Sequence, residues 1–405
     1  MRILYVSTFS YPTLIGGADR TLHNLVEGMR TRGHEVRVVS LQSANVAPIG
    51  SRPDYLSTFP VRNLYCPDGT QPHGAFDKLR WHIRDIYNPR AAEDVETILK
   101  EFQPDILSSH NLAGWSVAVW DMAARHNVPV VQVLHDFYLT CVAGSRSVGG
   151  SPCQKTCTRC RLLRLPHRTK SKIPVALVGI SNYMLQHMDA AGYFPSARKA
   201  RIYNVERPLC LAPEALLDPA TPVFGFIGRI APHKGIETLL EAFSAADLPT
   251  QTRLLIAGVG EPGYVSELAD SYTSDNVHFV GHTNPKDFFP QLSWTVMPSL
   301  SDEPLGRVVF ESHGFGVPVL GSRRGGIPEM IEDGVTGHLF EAGNVKALTE
   351  LLERSAHSGR PTSRAEIAAK SASFFDTNRF IDEYETVYYG VLREPTVRKQ
   401  TEGAE

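Results

Sequence analysis

The feature that most constrains this chain is the order in which its apolar residues recur. Short, continuously hydrophobic runs alternate with stretches whose apolar residues return at helical spacing, almost from one end to the other. Ile3–Val6 is such a run. Leu22, Leu25, Val26 and Met29 then mark a helix that Gly33 ends, and Val36–Leu41 follows as the next strand. Ile106–Leu107, Val128–Leu134 and Val175–Ile180 repeat the theme. Runs without a polar face predict strands buried on both sides, as in a parallel sheet covered by helices. The segment Glu206–Pro222 breaks the rhythm with Pro208, Pro213, Pro219 and Pro222 and reads as a linker. The alternation then restarts. Strands are predicted at Val223–Ile227, Leu254–Ala257, Val277–Val280, Thr295–Met297 and Val317–Leu320, with a helix through Ile236, Leu239, Leu240 and Phe243.

The expected fold class is therefore α/β, with two doubly wound, Rossmann-like domains facing across a cleft. Residues 1–207 form the first, with a cysteine-rich insertion at about 138–172, and residues 208–375 form the second. Residues 376–405 are expected to give a helix that packs back on the first domain, then a frayed tail. In such sheets ligands sit at the carboxyl ends of the strands, so two facing sheets predict a deep site between them.

Composition removes whole classes of function. Across 405 residues, 42% apolar and 21% charged, a net charge of −2 argues against a protein built to grip nucleic acid. No apolar run is long enough to span a bilayer. The opening residues Met1–Thr8 read as a first buried strand rather than a short signal peptide, because no small-residue cleavage pattern follows. The expected location is the cytoplasm.

Two motifs carry chemistry. The first is Phe226-Ile-Gly-Arg-Ile-Ala-Pro-His-Lys-Gly235, at a strand-to-helix junction. Gly228 permits a sharp turn, and Arg229 and Lys234 flank the approach to a helix N-terminus. Free amides and a partial positive charge there, with two added cations, suit a diphosphate. Taken alone, the pair is equally two solvated surface cations. The second motif is Ser301-Asp-Glu-Pro-Leu-Gly-Arg-Val-Val-Phe-Glu311. Glu303 falls in a loop and Glu311 within the next helix, where carboxylates can accept hydrogen bonds from sugar hydroxyls. Leu305-Gly306 at the helix start can offer backbone amides to phosphate. By spacing alone the two glutamates are also a helix cap and a surface carboxylate.

In this order, with Gly325-Gly-Ile-Pro-Glu329 after them, the motifs make the chain resemble family 4 of the retaining glycosyltransferases, which have the two-domain GT-B fold. The resemblance covers nearly the whole chain and is strongest from Val223 to Phe340. It implies that Arg229 and Lys234 bind the diphosphate of a nucleotide-sugar donor, that Glu303 touches the sugar, and that Glu311 touches the ribose. It places Gly16-Gly17 near donor phosphate and acceptor, and His135, of His135-Asp136, beside the donor sugar. It implies transfer of a hexose-type sugar from a UDP- or GDP-sugar to a hydroxyl acceptor, with retention, in polysaccharide, glycolipid or glycoconjugate biosynthesis. His135, Glu303, Arg229 and Lys234 are then the catalytic set. The chain has no Asp-x-Asp motif, so catalysis is expected to need no cofactor. Ser312-His313 and Asn204-Val205 depart from the family's usual residues and leave the donor's details open. Two other readings remain: a phosphorylase or epimerase on the same fold, and a non-catalytic nucleotide-sugar-binding or zinc-scaffold subunit.

Cys141, Cys153, Cys157 and Cys160 fall within twenty residues. In a reducing compartment this clustering suggests a closed four-thiolate zinc site, structural rather than catalytic. Unligated cysteines, a labile disulfide or an iron–sulfur cluster fit the same spacing. The run from Arg159 through Arg161, Arg164, His167, Arg168 and Lys170 to Lys172 is basic around Leu162, Leu163 and Leu165. It reads as a solvated face, or as a peripheral contact with an anionic inner-membrane face or a lipid-linked acceptor.

Overall fold

In a computed structural model, the described residues are 1–393 except 44, 149–150, 154, 207–220 and 273. The prolines of the linker at 208, 213 and 219, the boundary drawn at 207/208, and the tail from 394 lie outside them.

The strands are β1 (Arg2–Val6), β2 (Glu35–Leu41), β3 (Leu56–Phe59), β4 (Ile106–Ser109), β5 (Val130–Leu134), β6 (Ser147–Val148), β7 (Ser151–Pro152), β8 (Ala176–Gly179) and β9 (Arg198–Arg201), then β10 (Val223–Ile227), β11 (Arg253–Ala257), β12 (Val277–Gly281), β13 (Trp294–Met297), β14 (Val319–Ser322) and β15 (Gly337–Phe340). Among the described residues they form a sheet in the order β3-β2-β1-β4-β5-β8-β9, a second in the order β12-β11-β10-β13-β14-β15, and the small hairpin β6-β7. Both large sheets are parallel throughout. The chain is therefore two doubly wound α/β sheets, as the alternation predicts. Ile3, Leu4, Tyr5 and Val6 are fully buried because helices cover both faces of β1. Each sheet changes winding direction beside its first strand, at β1/β4 and at β10/β13. The carboxyl ends of these strands hold the site.

The helices that matter for the site are α1 (Gly17–Thr31), α2 (Asn182–Ala190), α3 (Ile236–Ala245), α4 (Arg307–Gly314) and α5 (Thr377–Arg393). On α1, Leu22, Leu25, Val26 and Met29 face the first sheet and share a core with Phe380, Ile381, Tyr384 and Tyr388 of α5. The last helix among the described residues therefore closes the core of the first sheet. Each fully buried side chain of this kind contributes about 1.5–3 kcal/mol.

The halves also meet through polar contacts. Glu329 accepts the amides of Asn182 (2.8 Å) and Tyr183 (2.6 Å), so a carboxylate of the second half caps α2 of the first. Ser181 Oγ donates to the Pro304 carbonyl at 2.5 Å, and Arg146 pairs with Asp302 at 3.1 Å.

The cysteine-rich insertion is more regular than the sequence suggests. It holds the β6-β7 hairpin and short helices at Thr158–Leu163 and Leu165–Lys170. Its basic run is not a uniformly solvated face: Arg164 and His167 are buried, while Leu162 and Leu165 are exposed. No helix among the described residues is long and apolar enough to cross a membrane.

Candidate active site

The phosphate motif leaves the end of β10 and passes through a 3₁₀ turn at Pro232–Lys234 into α3. Gly235 joins them at φ 74°, and a Cβ there would run into the Pro298 carbonyl. Only glycine fits both demands, and the tight junction sets Lys234 beside the end of β13. The amides of Leu300 and Ser301 bond the His233 carbonyl at 3.0 and 3.2 Å, locking the two motifs together. Lys234 Nζ thereby meets Glu303 Oε1 at 2.6 Å, and Ser299 Oγ donates to the same oxygen at 2.8 Å.

Next to this pair, α4 begins at Arg307 without a side-chain cap among the described residues, and Leu305, Gly306 and Arg307 line the cleft. Its first amides are therefore available to a ligand. Arg307 reaches across the cleft. Its Nη1 donates to the Gly17 carbonyl at 2.8 Å, and its Nη2 pairs with Glu206 and, at 3.1 Å, with Glu311. A Cβ at position 17 would meet the Arg307 side chain, which would have to shift to make room. The turn before α1 is held by Asp19, whose carboxylate accepts the amides of Ile15 and Gly16, both at 2.9 Å.

From the first sheet comes His135, just past β5 and only 9% exposed. Its Nε2 is 2.9 Å from His110 Nδ1. Behind it, His110 Nε2 is 3.2 Å from Ser108 Oγ, which accepts the Tyr388 hydroxyl at 2.9 Å. Burial, reinforced by the Arg307 guanidinium, lowers the His135 pKa to about 4. Burial and the neighbouring His135 push His110 well below the ordinary range. Both rings are therefore neutral at pH 7. Burial raises the pKa of Asp136, whose carboxylate accepts the Tyr138 amide at 2.8 Å.

The structure gathers most of the residues singled out from sequence. Gly17 and His135 from the first half, and Gly228, Lys234, Glu303, Leu305 and Gly306 from the second, line one cleft cavity of about 250 Å³. Gly16 stands one residue outside it, and Glu311 is joined to it through Arg307. Arg229 is exposed and lines an adjoining hollow of about 520 Å³ with Val259, Glu261 and Tyr264. It does not share the cavity of Lys234.

The four cysteines also come together, around a small cavity of about 10 Å³ beside Arg146 and His187. They are free thiols. Cys160 Sγ accepts the Val142 amide at 3.4 Å, and Cys157 Sγ accepts the Cys160 amide at 3.5 Å, while Cys157 faces solvent. Among the described residues no three Cys, His, Asp or Glu side chains are set to hold a metal ion. The four-thiolate zinc site expected from the spacing is not formed by the side chains as they stand.

Sequence reasoning missed Arg307, His110, Asp302 and the interdomain cap Glu329. Arg307 carried a signal: a cation four residues before Glu311 on a helix pairs with it. His110 did too, since it follows β4 just as His135 follows β5.

The chain matches two family descriptions, Glycosyltransferase Family 4 over residues 15–205 and Glycosyl transferases group 1 over residues 212–372. It is 32% identical to an uncharacterized 42.6 kDa protein in the cps region of Klebsiella pneumoniae, over 82% of this chain and 87% of that one. It is also 32% identical to the D-inositol 3-phosphate glycosyltransferase of Mycobacterium sp. (strain KMS), over 39% of this chain and 37% of that protein. Among solved structures, Anabaena Alr3699/HepE in complex with UDP superposes with a TM-score of 0.72 at 18% identity, covering 96% of this chain and 100% of that one. At that identity the likeness speaks for the fold. Together with the paired sheets and the Lys234–Glu303 cleft, these matches place the chain in the group 1 glycosyltransferases, as a transferase of the GT-B fold.

Proposed function

We propose that this chain moves a hexose-type sugar from a UDP- or GDP-sugar to a hydroxyl acceptor, with retention of anomeric configuration, in polysaccharide, glycolipid or glycoconjugate synthesis. The observation that carries this reading is the Lys234–Glu303 pair at 2.6 Å inside a cleft whose opposite wall is Gly17 and His135. A sugar diphosphate carries both complements of that pair. Its phosphate oxygens suit the ammonium, and its hydroxyls suit the carboxylate. In this reading Glu311, held by Arg307, takes the ribose, and Arg229 takes the diphosphate from the edge of the adjoining hollow, which takes the base.

In the reaction, the bond between the anomeric carbon and the diphosphate oxygen breaks, and a bond to the acceptor oxygen forms on the same face. The acceptor's proton passes to the departing phosphate oxygen. Lys234 and the amides at the start of α4 stabilise the charge that develops on the diphosphate. His135 is neutral and works as a hydrogen-bonding partner of the sugar. The step calls for no metal.

Calorimetric titration with UDP, GDP and ADP tests the reading. Binding of one nucleotide that is lost in Lys234→Ala supports it. Binding unaffected by Lys234→Ala would move the donor site elsewhere. Turnover assays of the matching sugar nucleotide with and without alcohol acceptors separate transfer from phosphorolysis or epimerisation. The anomeric configuration of the product tests retention.

A further inference from the structure

The buried polar row behind the cleft has one property that the proposed reaction leaves unused. Tyr388, Ser108, His110 and His135 stand in line, linked at 2.9, 3.2 and 2.9 Å. The first member lies on the last helix and the final one lines the cleft. Ser108, Tyr388 and His110 are nearly or wholly buried, so water does not compete for their hydrogen bonds. Neutral imidazole carries one proton, and the bond made by one nitrogen decides which nitrogen keeps it.

The row favours one direction. The Tyr388 hydroxyl donates to Ser108 Oγ, which leaves the Ser108 hydrogen to go on to His110 Nε2 at 3.2 Å. In that arrangement His110 Nε2 is bare. The proton of His110 therefore sits on Nδ1 and points at His135 Nε2, so that nitrogen is bare as well. The proton of His135 is left on Nδ1, a buried atom with no hydrogen-bond partner among the described residues. A buried donor without a partner is costly, and a ligand hydroxyl in the cleft would satisfy it.

We infer that His110, backed by Ser108 and Tyr388, is a positioning residue that holds His135 in the Nδ1–H form, so that His135 acts as a hydrogen-bond donor to an oxygen of the donor sugar. The inference rests on the reading of the cleft as a sugar-nucleotide site. Its test has one arm that needs no ligand.

That arm is ¹⁵N NMR of protein labelled in the histidine rings, with His135→Phe and His110→Phe to assign the signals. In the wild type at neutral pH, His135 is expected to carry its proton on Nδ1. His110→Phe should convert it to a mixture of both forms, and the milder Ser108→Ala and Tyr388→Phe should do the same in part. A proton on Nε2 in the wild type, or a tautomer untouched by all three changes, overturns the inference.

The second arm uses UDP-, GDP- and ADP-glucose as probes. With whichever serves as donor, His110→Phe should lower turnover about tenfold while the affinity for the nucleoside diphosphate alone is unchanged. His110→Asn, whose amide can donate from the place of Nδ1, should recover most of that loss. Equal losses in the two variants, or a loss of nucleotide binding, would indicate a packing role and sink the idea. If none of the probes binds, the donor-site reading fails, and the tautomer measurement still decides the relay.

Discussion

The two halves of the molecule are built from the same kind of sheet, yet they meet the cleft with different materials. The second half presents charges at or near the surface. Lys234, Glu303, Arg307 and Glu311 are each between 14% and 25% exposed at the side chain, and all four come from loops and helix starts of two local motifs. The first half presents buried polarity. Behind its part of the cleft lies the His110–His135 row, and the interior of the same half holds a second group in which Asp85 accepts the Tyr138 hydroxyl at 2.7 Å and the Gly114 amide at 2.8 Å, with Arg164 at 4.0 Å. Asp85 and Arg164 are essentially without solvent. The contrast teaches that one wall of a site can be nearly free of stability cost while the other is welded into the core. A change in the second half should show in turnover, and a change in the first half should show in folding as well.

The largest expected effect tests the welded side. Asp85→Ala leaves the Arg164 guanidinium buried without its carboxylate and should cost about 3–5 kcal/mol in urea unfolding. A loss under about 1 kcal/mol would show that the pair is not a structural anchor. On the other wall, Lys234→Ala should lower turnover by about 10²–10³-fold, as removal of one charge-stabilising donor does elsewhere. The same change should move stability by no more than about 1 kcal/mol, because the pair is partly solvated. If instead the protein melts early, the contrast between the two walls is broken.

The third prediction concerns pH. Burial lowers His135 and His313 to about 4, from an ordinary value near 6.5. Each is neutral in the folded chain and takes up a proton more readily when unfolded. Their contribution is therefore complete above about pH 6.5 and is lost as pH falls toward 4, by up to about 1.4 kcal/mol per pH unit for each histidine. Unfolding free energies across that window should show the slope, and His313→Gln should reduce it by one proton. The smallest effect belongs to the seam. Glu329→Gln weakens the cap on α2 and should cost about 0.3–1 kcal/mol at low salt, fading as salt is added. Chemical unfolding at two ionic strengths reads it.

The same contrast explains what could be seen in the sequence. The parallel sheets were readable because β1, β4, β5 and β10 carry no polar face, and only a doubly covered strand tolerates that. The second half's side of the cleft was readable because Lys234 and Glu303 sit in two compact motifs that both reach the cavity, with Glu311 joined to it through Arg307. Lys234 and Glu303 meet only because Gly235 lets α3 start against Pro298, yet both had been assigned to one ligand. From the first half, Gly17 and His135 were readable and line the cleft, but the buried polar group behind them was not. Asp85, Gly114, Tyr138 and Arg164 come from four separate segments, and no spacing rule links them. His110 looked like one more strand-end histidine until the fold set it 2.9 Å from His135. The cysteines mark the opposite limit. Their spacing left a metal site, free thiols, a disulfide and a cluster open, and the fold brings all four to one small cavity.

The Glu329 cap has a consequence for how the two halves hold together. A helix terminus in one half is finished by a carboxylate from the other, so the cap exists only while the two halves are in register. Any separation of the halves at this point exposes two backbone amides to water, at a modest and salt-dependent cost. The Glu329 cap thus ties the fold of one half to its docking on the other.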